Sequence, residues 1–394
     1  MVARMFNLKA ARSISLGALL IASAGSHPHA QSTPDGWNWS VSGNVFAGLN
    51  YQHRESDDIS NVESQNWLMA ASVREIGRGR VQLHTMFSLE PFTLKKIGSA
   101  QVFQTGETFN NAPLVDYQHP HDLFGALSAA YTRPAGAWIV TATAAAVGSP
   151  ALGPPPFMHR PSAAENPQAP LSHHHLDSVH ITPGVLTLGL FRTGIGIETS
   201  WFRGREPDET RTDIDFGALD SWSLRGSVAR GPWTAELSGA RINDPEPQRP
   251  GDMTRLMASV AHTRTGAIST AVTAAWGHNS ESHGRSNAFL FESTISWLEK
   301  NHLFSRAELV GKELPHTHGS IQQPMHEVMN IGAFTLGYTR DVKASLLGRL
   351  GIGSDITMYY VPVMLQETYG APLSFHVFVR YRFDTARAPA EHHH

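Results

Sequence analysis

The chain has 394 residues, with 31 basic and 34 acidic side chains, a formal charge of −3, 22 histidines and no cysteine. Its mildly acidic balance argues against a nucleic-acid partner, whose binder would be basic. A large protein of an oxidising compartment can lack disulfides if its fold closes on itself. No 3.6-residue periodicity runs through it and no eighteen-residue apolar run follows residue 30, so no transmembrane helix is expected.

Residues 1–30 read as a secretory signal peptide. Arg4, Lys9 and Arg12 precede an apolar stretch from Ile14 to Ala22, and small residues offer cleavage after Ala24 or Ala30. Residues 31–383 are short extended segments separated by turns. Strands are expected near 38–52, 64–76 and 79–91. In the third, Val81, Leu83, Thr85, Phe87 and Leu89 share one face and Arg80, Gln82, His84, Met86, Ser88 and Glu90 the other, the period of two that a strand imposes. Pairs follow at 122–133 and 137–147, 178–191 and 195–202, 221–230 and 233–241, 254–263 and 267–277, 286–298 and 301–311, and 329–339 and 342–355. The last strand, 372–383, alternates Phe375, Val377, Val379, Tyr381 and Phe383 with Ser374, His376, Phe378, Arg380 and Arg382. Residues 384–394 form a tail ending in three histidines.

A soluble sandwich alternates in the same way. Three features favour a membrane barrel. The patterned runs are about ten residues long, as a tilted membrane-crossing strand requires, whereas sandwich strands are nearer five or six. Trp67, Trp201, Trp222, Trp233, Trp297 and Tyr381 fall near the ends of runs, where an interfacial girdle lies. The connections alternate between long ones (53–63, 92–121, 148–177, 203–220, 242–253, 278–285, 312–328 and 356–371) and short ones with turn residues such as Gly77, Gly136, Gly194 and Gly231. The expected fold is all-β, a transmembrane antiparallel β-barrel of about sixteen strands with long extracellular loops and short periplasmic turns, in the outer membrane of a Gram-negative bacterium. Arg74, His84, Glu90, Arg306, Glu308, Arg349, Arg380 and Arg382 are expected on the lumen wall. Outer-membrane lipid and the barrel-assembly machinery, which reads a terminal aromatic strand, are the expected partners.

Three loops at one predicted end concentrate the unusual residues. The second carries His119, His121 and Asp122; the third, His159, Arg160 and the run His173-His174-His175; the fourth, Arg203, Arg205, Glu206, Asp208, Glu209 and Arg211. Ion pairs between loops would rigidify them in a partly dry lumen. An anion held by Arg203, Arg205 and Arg211 is a second reading. Imidazole, thioether and carboxylate together suit copper or zinc, with His119, His121, His159, His173, His175, His180, Met325 and His326 as candidate ligands. The competing reading makes the same groups a hydrogen-bonded plug. His121 with Asp122, and Ser178 with His180, supply residue types for a rim hydrolase without a recognised catalytic signature.

The phrases GETFNNAPLVDYQHPHDL, ALGPPPFMHRPSAAENPQAPLSHHHLDS, FRGREPDETR and IGAFTLGYTRD resemble an uncharacterised bacterial outer-membrane β-barrel family carrying QHPHD, FMHRPSA and FxGREPDExR motifs. The resemblance covers most of the mature chain and implies fold and location, not activity. The expected function is a channel or transport protein whose loops partly plug its lumen, with no substrate named and no enzyme activity. The alternatives are copper or zinc handling at the outer mouth and a rim hydrolase.

Overall fold

In the computed structural model, residues 36–385 are described apart from 247–249, 283, 315, 319–320, 324–326 and 346–347. The leader, most of the tail, Met325 and His326 lie outside the described residues. The period-two pattern becomes a closed wall of sixteen antiparallel strands. They are β1 (Asn38–His53), β2 in two pieces (Asp58–Glu63 and Asn66–Ile76), β3 (Gly79–Phe87), β4 (Phe124–Ala135), β5 (Trp138–Gly148), β6 (Thr182–Arg192), β7 (Ile195–Phe202) and β8 (Ser221–Arg230). The wall continues with β9 (Trp233–Ile242), β10 (Met253–Arg264), β11 (Ile268–Ser280), β12 (Arg285–Trp297), β13 (Asn301–Glu313), β14 (Val328–Ser345), β15 (Gly348–Tyr360) and β16 (Leu373–Asp384). Each strand pairs with the next, and β16 returns to β1 from Ser42↔Asp384 to His53↔Leu373. Closure removes free sheet edges, the condition for strands in hydrocarbon.

The wall has one apolar face outward. On β12, Phe289, Phe291 and Ile295 are exposed while Leu290, Glu292 and Thr294 are buried. Leu186, Leu188 and Leu190 of β6 and Ile195 and Ile197 of β7 are likewise exposed. Trp201 and Trp222 stand outside at the long-loop end and Trp233 outside at the other.

Register corrects three expectations. In the second piece of β2 the odd-numbered residues Trp67, Met69, Ala71 and Val73 line the lumen. Trp67 is therefore buried beside Phe46, not part of a girdle, with ring centroids 6.2 Å apart. Arg74, at an even position, lies outside the barrel with its guanidinium 6.0 Å from the Trp37 ring. Strand β3 stops at Phe87, and Glu90 opens a one-turn helix, Glu90–Thr93, with Pro91 in its first turn. Glu90 is thus a loop residue, not a wall residue.

The long connections leave one end: 88–123 (loop 2), 149–181 (loop 3), 203–220 (loop 4), 243–252, 314–327 and 361–372 (loop 8). Two connections expected to be long are tight. Asp58–Glu63 extends the wall beside Gly48–His53, and β11 and β12 stay paired as far as Ser280↔Arg285.

Loop 2 folds into a hairpin of Ser99–Phe109 and Ala112–Gln118, turned at Asn110 (φ 52°) and Asn111 (φ 59°). Asparagine is the non-glycine residue best suited to that left-handed region. Three apolar clusters seat the loops in the lumen. Val102, Phe103, Leu171, Leu365 and Tyr369 pack on Val310 and Ile331. Leu152, Leu176 and Val179 pack on Phe202, Ile242 and Leu290. Phe157, Met158, Ala163 and Ala169 pack on Phe46, Trp67, Met86, Phe304 and Phe378. The core of the molecule is therefore where a pore would run.

Candidate functional site: loops folded into the lumen

Loop 3 must bury its backbone, so each polar group needs a partner from the wall. The inward residues of β7 to β13 and β16 supply them. Ala151 and Gly153 donate to Ser200 and Ser238 (both 2.8 Å), and Ser162 pairs with Thr273 at 2.7 Å. Leu171, Ser172 and the Ser172 hydroxyl all donate to Glu308 (3.1, 2.9 and 2.7 Å). Arg255 donates to the His174 carbonyl at 2.6 Å.

Arg160 is the hub of this loop and is almost fully buried. Its guanidinium donates to Glu292 on β12 (2.8 Å), to Asp177 (2.9 Å) and to the Pro155 carbonyl (3.0 Å). Arg306 shares Glu292 at 2.9 Å and donates to the Gln168 carbonyl at 2.9 Å. Glu165 is claimed by Arg380 and by Arg382, the latter at 3.1 Å, and Arg380 also pairs with Asp341. Arg349 lies 3.6 Å from Asp341 near the short-turn end. A buried ion network of this kind sets one geometry for the loop.

Loops 2 and 4 clasp above it. Arg211 pairs with Glu107 and lies 3.6 Å from Asp122. Glu209 accepts from the Thr108 hydroxyl (2.7 Å) and from the turn amides of Asn110 (2.8 Å) and Asn111 (3.0 Å). Burial alone would raise the Glu107 carboxyl, but Arg211 and His119 outweigh it and hold it at about 2. Burial raises Asp122 to about 7, because Arg211 offsets it only in part and Glu107 repels it. Glu206 is raised well above the carboxylate range by burial and by Glu107 and Glu246. His174, Glu206 and Glu246 bring ligand atoms within 4.8 Å of one another, as do the more exposed Asp208, Asp213 and Asp215. Arg205 is spent on Asp244 (3.4 Å) in solvent. Arg203 keeps a buried Nη1 with no hydrogen-bond partner among the described residues.

Between loops 2 and 3 lies a nest of histidines. Ring centroids are 5.3 Å apart for His121–His180, His173–His180 and His173–His174. They are 6.0 Å apart for His119–His174, 6.3 Å for His119–His121 and 6.4 Å for His121–His173. His119 Nε2 meets Glu107 at 2.9 Å. His121 Nδ1 meets Glu90 at 2.8 Å, not Asp122, which breaks the expected His121–Asp122 pair. His173 Nδ1 meets Asp177 at 2.7 Å. Burial alone would lower His121, but Glu90 reverses that and raises it.

Two expected members of the group are elsewhere. His175 turns to the wall and meets Ser286 at 2.8 Å. His159 sits below, lining the lower lumen with His84, where burial and then His84 and His121 depress its ring to about 4. A cavity of about 580 Å³ occupies that lower lumen, walled by Arg80, His84, Glu198, Arg225 and Glu236 and roofed by Pro154–Pro156 and His180.

No protein-family model matches the chain, and no curated protein does. Solved structures do. The anion-selective porin of Comamonas acidovorans superposes with a TM-score of 0.52 at 11% identity, covering 88% of this chain and 100% of that one. The loop L8 deletion mutant of OmpT, an outer-membrane protein of Vibrio cholerae, gives 0.50 at 10% identity, covering 89% and 100%. The wall is porin-like. At these identities the likeness is one of fold.

Sequence reasoning placed His119, His121, His173 and His180 together, but it missed the carboxylates that organise them. The alternation puts Glu90 on the wall, and nothing in it marks Glu107 or Asp177 as partners of these rings. The four-residue spacing from His173 to Asp177 was the visible signal, since those positions face each other across one helical turn.

Proposed function

We propose that this chain is a channel of a Gram-negative outer membrane, kept closed by its own second and third loops. The outward apolar face and exposed tryptophans suit lipid, and β16 carries Tyr381-Arg382-Phe383 just before its last residue, Asp384, the kind of strand that barrel-assembly machinery reads. Sixteen strands enclose a lumen wide enough for water unless loops fill it. Here loop 3 is hydrogen-bonded to the wall from β7 to β13 and on β16, and that anchoring is the observation that carries the proposal. Solute would enter the lower cavity freely and cross only when the loops yield. That cavity carries both signs, with Arg225 paired to Glu198 at 2.7 Å, so its wall favours neither cations nor anions.

The test is planar-bilayer conductance of the detergent-folded protein. The intact barrel is expected to give small or rare openings, and a variant lacking residues 157–171 large, stable ones. A folded deletion variant that carries no current would overturn the proposal.

A further inference from the structure

The histidine nest contains three rings arranged in the same way. In His121, His173 and His180, Nδ1 is tied down by Glu90 (2.8 Å), by Asp177 Oδ1 (2.7 Å) and by the Asp177 carbonyl, respectively. In all three, Nε2 is buried and has no hydrogen-bond partner among the described residues. Buried polar atoms are almost always partnered, so three such orphans on adjacent rings call for a ligand.

We propose that His121, His173 and His180 form a three-imidazole site for a divalent transition ion of the zinc class. Metal-bound histidines coordinate through one nitrogen and donate the other N–H to a carboxylate or backbone carbonyl, the pattern these rings show. Three imidazoles on one tetrahedral ion at ~2.0–2.1 Å have ring centroids roughly 5 Å apart. Two edges of this triangle measure 5.3 Å, and the third, His121–His173, 6.4 Å. The ligand nitrogens of the three rings do not all lie within 4.8 Å of one another in this structure, so an ion would have to draw His121 inward by more than about 1 Å and turn the Nε2 atoms together. All three protein donors are nitrogen, with neither thiolate nor thioether among them, which favours Zn²⁺ over Cu⁺. His121 belongs to loop 2 and the other two to loop 3, so the ion would also fasten one loop to the other. The site stands whether or not the barrel conducts.

The experiment uses the full chain, folded in detergent and stripped with chelator. Zn²⁺ is titrated by calorimetry and counted by elemental analysis, and Mg²⁺ serves as control. The triple variant H121Q/H173Q/H180Q keeps the terminal histidines, so any binding there cancels. The wild type is expected to hold one more tightly bound zinc than the triple variant, and Glu90→Gln to weaken that zinc roughly 10–100-fold. Equal uptake by wild type and triple variant would overturn the site. If the triple variant does not fold, the zinc X-ray absorption edge of the wild type decides. Three imidazoles support the site, and an all-oxygen shell rejects it.

Discussion

Arg160 shows how much one side chain can carry inside a lumen. It neutralises Glu292 and Asp177 and caps the Pro155 carbonyl. Arg160→Met leaves two buried carboxylates facing less positive charge, and the expected loss is about 3–5 kcal/mol, read as a lower urea midpoint in lipid vesicles. A loss below about 1 kcal/mol would mean that water replaces the guanidinium at no cost. The Glu107–Arg211 pair makes a pH prediction. The folded carboxyl sits at about 2, below its ordinary value of 4.5. A depressed acid contributes stability above its unfolded pKa and loses it as pH falls toward the folded one. Loop 4 is therefore expected to stay protected from protease down to about pH 4.5 and to become cleavable between there and about pH 2. Arg211→Ala is expected to weaken that dependence, leaving only the part that His119 supplies. His159 follows the opposite chemistry. Its ring, ordinarily near 6.5, is held at about 4, so acidification charges the unfolded chain first. Stability is lost as pH falls from 6.5 toward 4, and His159→Phe should flatten that part of the profile. Residue types on the loops were legible because histidine, arginine and carboxylates are costly to bury unpaired. Partners were not, since Glu165 meets Arg380 and Arg382 across more than two hundred residues of sequence.

Strands were far easier to read than loops. A membrane strand must alternate along its whole length, and β3, β12 and β16 do so in the bare sequence. This gives a clean contrast for mutation. Leu237, midway along β9, faces outward, and Leu237→Arg should cost about 2–4 kcal/mol in vesicles. Ser227 of β8 lines the lower cavity, and Ser227→Arg should leave the urea midpoint nearly unchanged. Equal penalties at the two positions would contradict the assignment of faces. The loop 2 hairpin was missed because its ladder is irregular. Register slips between Ala100 and Thr105 and again before Thr108, and Phe103, Glu107 and Asp116 all adopt positive φ. The Asn110-Asn111 pair was its one local signal, since both residues of a tight primed turn need positive φ. The break at Ser64 and Gln65 splits β2 without changing its parity: Asn61 and Glu63 are buried and Val62 exposed before it, and Trp67 and Met69 line the lumen beyond it, which leaves Arg74 outside.

At the scale of the molecule, the wall follows from a repeated pattern, whereas the plug follows from contacts that no local pattern announces. The two meet at the seam. Arg380 and Arg382 lie on the final strand, which is also the one that closes the cylinder against Asn38–His53. Both grip Glu165 from inside. The last stretch of the chain therefore has two tasks: its backbone zips the staves, and its arginines tighten the cork.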